Sequence, residues 1–166
     1  HHDYSQGGKN KCSTLIRYLN MGLTEYDRIV SLDNDIFIPE SAEPLPNVLG
    51  HGGVEDKGKK WSVPFHDKFI NGGVQIVNKA AGESLRNFVR DKCKKRELPP
   101  IHTDQAYMNE WRFWNPTMSY TLSPKWNYMV DCYPYTEDYT NMNFVHFAGW
   151  KGREYYVKNL QNGVII

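Results

Sequence analysis

Two carboxylates, Asp33 and Asp35, stand two residues apart directly behind the apolar run Ile29-Val30-Ser31-Leu32. Side chains two apart in an extended segment project to the same side, so both can reach one ion. Two negative charges are costly to hold together without a cation, and hard oxygen ligands suit Mg²⁺ or Mn²⁺ bridging phosphates. An apolar strand that delivers them at its C-terminal end puts them where open α/β sheets bind ligands. The same triplet, Asp33-Asn34-Asp35, also suits a plain turn in which short polar side chains cap backbone groups. An EF-hand loop is excluded, because the Gly and terminal Glu that its spacing demands are missing.

Three further stretches carry chemistry. Phe144-Val145-His146-Phe147 is strand-like and is followed by a glycine turn at Gly149 and by Lys151. An imidazole can complete a carboxylate-bound metal site, and its nitrogen favours Mn²⁺ over Mg²⁺; alone, His146 reads more readily as a satisfied half-buried histidine. Lys151 offers a point charge for a diphosphate leaving group. In Phe69-Ile70-Asn71-Gly72-Gly73-Val74, the paired glycines let a backbone approach a ligand, and Asn71 offers an amide to hydroxyls. Asp104-Gln105 presents an acceptor and an amide at a predicted helix start. The bland alternatives are a glycine bulge and an N-cap.

The elements that must position these groups follow from periodicity. Residues 1–10 read as a loop. Leu15, Ile16, Leu19 and Met21 recur at helical spacing over Ser13–Met21, and Gly22 stops the helix. Residues 28–32 predict a buried strand, continued by Ile36-Phe37-Ile38 until Pro39 breaks it. Residues 40–60, with Gly50, Gly52, Gly53 and Gly58, predict a surface loop or lid. Two strand-like runs, Phe69-Ile70 and Val74–Val77, flank Asn71-Gly72-Gly73. Ala80–Arg96 is a helix with Leu85, Phe88 and Val89 on one face, closed by Pro99-Pro100. A second helix runs from His102 to Trp111. Short strands and loops fill the remainder. Strands alternating with helices predict one α/β domain over residues 1–166 with a mostly parallel sheet.

Lys plus Arg number 20 against 19 Asp plus Glu, a balance that excludes a nucleic-acid binder or a protein held on acidic membranes. The cluster Lys92, Lys94, Lys95 and Arg96 is interrupted by acids and reads as a solvated helix end. No apolar run approaches the roughly 20 residues that span a bilayer. Three cysteines without CxxC spacing argue against a disulfide framework or a zinc site and for a reducing compartment, hence the cytoplasm; a fragment of a secretory-pathway enzyme would look the same. Five Trp and eleven Tyr exceed what a core of this size needs, and sugar clefts use such rings as platforms. The loop from Pro39 to Trp61 and the aromatic stretch from Trp111 to Tyr139 are expected to shape a cleft.

Taken in order, these stretches resemble the family 8 glycosyltransferases, the retaining group that includes glycogenin and bacterial galactosyltransferases. Residues 26–35 look like the family's strand leading into a metal-binding Asp-x-Asp. Phe69–Asn78 looks like its Phe-Asn-(Ser/Ala)-Gly-Val stretch, with Asn71 and Gly73 on matching positions and Gly72 replacing the small residue. Asp104-Gln105 with Asn109 resembles its Asp-Gln-x-x-Leu-Asn helix start, with Met108 for Leu. Leu122-Ser123-Pro124-Lys125-Trp126-Asn127 is similar to its Leu-Pro-x-x-Trp-Asn segment. His146-Phe147-x-Gly149 followed by Lys151 resembles its closing element.

The resemblance implies a GT-A type, Rossmann-like fold with a mixed sheet flanked by helices, and a nucleotide-diphosphate sugar donor, a UDP-sugar in the first instance. It implies Mn²⁺ (or Mg²⁺) on Asp33, Asp35 and His146, and a saccharide or other hydroxyl acceptor. Asn71, Gly73, Asp104, Gln105, Gly149 and Lys151 would contact the donor, with Asp104 and Gln105 nearest the reacting carbon. The basic residue on the helix before Asp-x-Asp is Lys11 or Arg17. Only 32 residues precede Asp33, so part of the family's N-terminal nucleotide-binding half is expected to be missing. Gly152 stands where the family has Pro-Trp, which is expected to loosen the diphosphate loop. The alternatives are a non-catalytic nucleotide-sugar or carbohydrate-binding module with a decayed site, and a metal-dependent phosphohydrolase on the same Asp pair.

Overall fold

The computed structural model describes residues 11–57, 69–95, 104–134, 136 and 138–163. The expected loop at residues 1–10, the Pro99-Pro100 stop and the start of the second helix at His102 lie outside them.

Helix α1 (Lys11–Asn20) is followed by β1 (Arg28–Leu32) and β2 (Ile36–Phe37). Next come β3 (His51–Glu55), β4 (Ile70–Asn78), α2 (Lys79–Lys94) and α3 (Asp104–Trp114). The chain continues through β5 (Ser119–Leu122), β6 (Tyr128–Met129), β7 (Val145–His146) and α4 (Gly149–Gln161). One sheet has the order β1-β4-β3-β5 and a smaller one the order β2-β7-β6.

The nine-residue β4 is central. It pairs antiparallel with β1, Leu32 opposite Val74, and antiparallel with β3, which pairs parallel with β5. With β2–β7 antiparallel and β6–β7 parallel, three of five pairings are antiparallel, so the expected mostly parallel sheet is corrected to a mixed one. The reason is connectivity. Among the described residues no helix separates β1 from β4, and parallel neighbours need a crossover that is usually helical.

The expected loop at residues 40–60 holds a buried strand instead. His51, Gly52, Gly53 and Val54 are all buried. The glycines that read as turns are packing residues: a Cβ on Gly52 would lie 3.0 Å from Val48 Cγ2, and one on Gly53 would overlap Ile70 Cγ2. Asn71-Gly72-Gly73, read as a break between two runs, lies within the single strand β4.

Helix α2 starts where Asn78 caps it, its side chain accepting from Ala81 N at 2.9 Å. Its apolar face, Ala81, Leu85 and Val89, joins Tyr18 and Met21 of the α1 segment, Ile70 and Val77 of β4, and Tyr107, Met108 and Trp111 of α3 in the main core. Two smaller clusters lie around the second sheet, one with Tyr128, Tyr139 and Phe147, the other with Trp126, Met129 and Phe144. Much of the aromatic surplus from Trp111 to Tyr139 is therefore core rather than cleft. No helix among the described residues is long and apolar enough to cross a membrane.

Candidate metal centre and donor site

Strand β1 ends by fixing Asp33: beyond the Leu32–Val74 pair, Asp33 N donates to Gly73 O at 2.8 Å. The chain then turns at Asn34 and Asp35 and enters β2. Asp35 O accepts from Phe147 N at 3.0 Å, and Ile36 pairs with His146, so the register of the second sheet brings His146 to the turn. The two carboxylates thus converge through a turn between sheets, a correction to the extended geometry expected for them. Ligand atoms of Asp33, Asp35 and His146 all lie within 4.8 Å of one another. His146 Nε2 is 3.2 Å from Asp35 Oδ1 and 3.9 Å from Asp33 Oδ2.

Arg17 on α1 sits behind this group. Its Nη2 donates to Asp33 Oδ1 at 2.7 Å and its Nη1 to Gly72 O at 2.9 Å. The side chain of Lys11, the other candidate base, lies outside the described residues. Two carboxylates and one guanidinium leave the group formally one charge negative. Asp35 Oδ1 is buried with no hydrogen bond of good geometry. An orphaned carboxylate oxygen facing an imidazole nitrogen and a second carboxylate is a donor set that fits Mn²⁺ or Mg²⁺.

Around His146 the structure is buried and polar. His146 Nδ1 meets Asn127 Oδ1 at 3.0 Å, and Asn127 Nδ2 donates to Asn71 Oδ1 at 2.9 Å. Asn71 Oδ1 also accepts from Gly73 N at 2.8 Å, while Asn71 Nδ2 donates to Asp56 Oδ2 at 3.2 Å. Gly73 is glycine because a Cβ there would overlap the His146 ring. On the other side of β4 a Cβ on Gly72 would lie 2.9 Å from Gln105 Cγ. Gln105 Oε1 is buried without a hydrogen-bond partner, as is Tyr133 Oη, whose ring stacks on Tyr128 at 5.0 Å.

The start of α3 is fastened by Asn109, which donates to Ile70 O and to Gln105 O, each at 2.9 Å, and accepts from Ile70 N at 2.8 Å. Asn109 is thus a clamp that sets the height of Gln105 on β4. Asp104 opens α3, and its side chain lies outside the described residues.

Beyond His146 the sequence predicted a glycine turn, and the structure has helix α4. Gly149 takes φ +68°, a left-handed conformation suited to glycine, and exposed Lys151 lies in the first turn. Gly152 does not loosen a loop: it is buried in this helix, where a Cβ would overlap the Phe147 backbone. No side chain caps the helix at Ala148, so its first-turn N–H groups open close in sequence to His146.

Beneath β4, Arg112 Nη1 donates to His51 Nδ1 at 2.7 Å. His51 Nε2 must then donate to Gln75 Oε1 at 3.0 Å, and Gln75 Nε2 to Gly72 O at 3.0 Å. Burial, aided by Arg112, pushes the His51 imidazole down to about 3.

Sequence reasoning brought together Asp33, Asp35 and His146, and set Asn71, Gly73 and Gln105 beside them. It missed Asp56, which shows no pattern of its own, and the part Asn127 plays.

No protein-family model and no curated protein matches the sequence. Solved structures do. A glycosyltransferase involved in the glycosylation of the major capsid of PBCV-1 is similar with TM-score 0.60 and 18% identity, over 95% of this chain and 80% of that one. The galactosyltransferase LgtC, solved with donor and acceptor sugar analogues, gives 0.53 and 13% over 95% of this chain and 70% of that one. The bifunctional glycosyltransferase WbbM gives 0.58 and 17% over 97% of this chain and 37% of that one. At such identities the likeness is one of fold, and it runs the length of the chain. The protein has the GT-A type fold of these glycosyltransferases, with a mixed sheet flanked by helices.

Proposed function

We propose that this protein is a retaining glycosyltransferase that moves a hexose from a nucleotide-diphosphate sugar, a UDP-sugar in the first instance, to a saccharide or other hydroxyl acceptor. The observation that carries the reading is the convergence of Asp33, Asp35 and His146 within 4.8 Å at the junction of two sheets. Asp33, Asp35 and His146 would hold Mn²⁺ or Mg²⁺, which when bound supplies positive charge to the leaving diphosphate.

The chain's own groups extend that charge. Lys151, the Gly149 turn and the open N–H groups of α4 suit a diphosphate, and Arg17 or Lys11 is the candidate for a second cation. Gln105 and Asp104 are assigned to the transferred sugar, Gln105 with an unused amide oxygen for a hydroxyl. Gly73 serves the donor site through the His146 ring, for which its missing side chain leaves room. Asn71 can add only one amide proton, because its oxygen already accepts twice and its NH₂ already donates to Asp56.

An amide is a poor nucleophile, so we favour attack from the leaving-group face. The acceptor oxygen bonds to the anomeric carbon as the bond from that carbon to the phosphate oxygen breaks. The bonding pair leaves with the phosphate, which takes the hydroxyl proton. Cys93 and Cys132 are thiols, which suits a reducing, cytoplasmic setting.

Calorimetric titration of UDP and then UDP-glucose, with and without Mn²⁺, tests the donor site. Binding should require Mn²⁺ and vanish in Asp33→Ala. Binding that ignores both would sink the proposal. Slow release of glucose from the bound donor is expected of an enzyme, and its absence would favour the non-catalytic binding module.

A further inference from the structure

We infer that Asn127 and Asn71 are positioning residues that decide which nitrogen of His146 carries its proton, so that Nε2 is kept open for the divalent ion. The inference rests on the metal reading proposed above and concerns the groups behind the ligand rather than the ligand itself.

One donor in this network cannot be reassigned. Gly73 N–H points at the side chain of Asn71 at 2.8 Å, and a backbone N–H can only donate, so the atom it meets is the amide oxygen. The other end of the same amide lies 3.2 Å from Asp56 Oδ2, where an NH₂ is required. Both ends therefore give Asn71 one orientation. The Asn127 atom 2.9 Å from Asn71 Oδ1 must then be a donor, which makes it the NH₂ and turns Asn127 Oδ1 towards His146. At 3.0 Å, Oδ1 can only accept, so His146 Nδ1 carries a proton. In the neutral ring that leaves a lone pair on Nε2, aimed at Asp35 Oδ1 3.2 Å away. Two acceptors held that close need a positive species between them, and the ligand set around them supplies the place for a metal ion.

The relay is built rather than incidental. His146, Asn127 and Asn71 are 3%, 0% and 6% exposed, so water cannot substitute for a lost partner. Three separate segments, β4, the residue after the Pro124–Trp126 turn, and β7, contribute one member each. Gly73 is in turn the residue whose missing side chain leaves room for the His146 ring, so one glycine provides both the space and the first donor of the chain. Partners that orient a ligating imidazole typically change metal affinity about tenfold to a hundredfold when removed.

The test uses the whole chain and Mn²⁺ alone. In ¹⁵N-histidine NMR spectra of the metal-free wild type, His146 should carry its proton on Nδ1 once the ring is neutral. Calorimetry should show Mn²⁺ affinity falling about tenfold to a hundredfold in Asn127→Ala. In Asn127→Asp, which keeps an acceptor for Nδ1–H but loses the donor to Asn71, the loss should be smaller than in Asn127→Ala. Thermal melts of each variant establish that it is folded. A neutral His146 protonated on Nε2 would overturn the inference without any variant. So would a folded Asn127→Ala protein that binds Mn²⁺ as tightly as wild type. A wild type that binds no Mn²⁺ would instead overturn the metal reading, and the NMR result would still decide the tautomer.

Discussion

Replacing Gly73 by Ala adds one methyl group where β4 meets the second sheet. Gly73 is not among the positive-φ glycines, so Ala fits the backbone there. By restricting the unfolded chain it should even stabilise by about 0.4–1 kcal/mol. Against that, the new Cβ would overlap Cε1 and Nδ1 of His146 and lie 2.9 Å from Asn71 Oδ1. The ring is buried and rigid, and overpacking of this kind costs about 1–3 kcal/mol. The overlap outweighs the entropic gain, giving a net loss of about 1 kcal/mol and a fall in Tm of about 2–4 °C. The effect on the site should exceed the effect on the fold. His146 can yield only by leaving Asn127, and β4 can yield only by drawing Gly73 O away from Asp33 N; either motion separates the ligand atoms. A weakening of Mn²⁺ binding by about tenfold is the expected minimum, equivalent to about 1.4 kcal/mol. Calorimetry reads the affinity and a thermal melt the stability. Gly82→Ala, which would overlap Met21 O in the main core, should cost stability by the same mechanism and leave Mn²⁺ binding alone. A Gly73→Ala protein with wild-type Mn²⁺ affinity would refute the placement of His146.

Three further outcomes follow from other parts of the molecule. His51 is neutral in the fold down to about 3 but takes up a proton near its ordinary value of 6.5 once unfolded. The unfolded state thus binds more protons between those values, and stability should drop by about 1.4 kcal/mol per pH unit below about 6.5. Melts at about pH 5 and about pH 7.5 should differ by about 2 kcal/mol from this residue, a slope that His51→Gln abolishes. Asn78→Ala removes the cap of α2 and should cost about 1 kcal/mol, read as a Tm lower by about 2–4 °C, with Mn²⁺ binding intact. Mn²⁺ at about a hundred times its dissociation constant should stabilise the wild type by about 2.7 kcal/mol. A chelator should reverse that gain, and Asp35→Ala should not show it.

What could be read from the sequence was what a local pattern dictates. Arg28–Leu32 is apolar and β-branched, and it is a strand over those residues. Leu85 and Val89 recur at helical spacing and line the buried face of α2. His51-Gly52-Gly53-Val54 hid its strand because its glycines answer not only to nearby Val48 but to Ile70 and Leu122, residues that no window around them contains. Helix α4 was hidden in a different way. Gly149 at its start read as a turn and Gly152 as loosening a loop, and Trp150, Val157 and Leu160 are exposed, so the helix has no clean apolar stripe. The strands of the second sheet span two residues each, too few for any periodicity. In the site, residue type revealed Asp33 and Asp35 and the order of motifs brought in His146. Asp56 and Asn127 meet Asn71 from 15 and 56 residues away, and only tertiary contact could reveal them.

The position of the two glycines on β4 explains why the site forms where it does. Consecutive residues of a strand face opposite sides, so Gly72 and Gly73 remove the side chains from both faces of β4 at one level. On one face α3 closes in until Gln105 lies against Gly72; on the other the second sheet closes in until the His146 ring lies against Gly73. The backbone thus laid bare is also put to use. Gly73 O holds Asp33, Gly72 O holds Arg17 and Gln75, and Gly73 N orients Asn71. His146, proposed for the metal, and Gln105, proposed for the sugar, are therefore separated by the thickness of a single strand. Any side chain at either glycine would push one of them away, so the motif's small residues are a distance requirement before they are a conformational one.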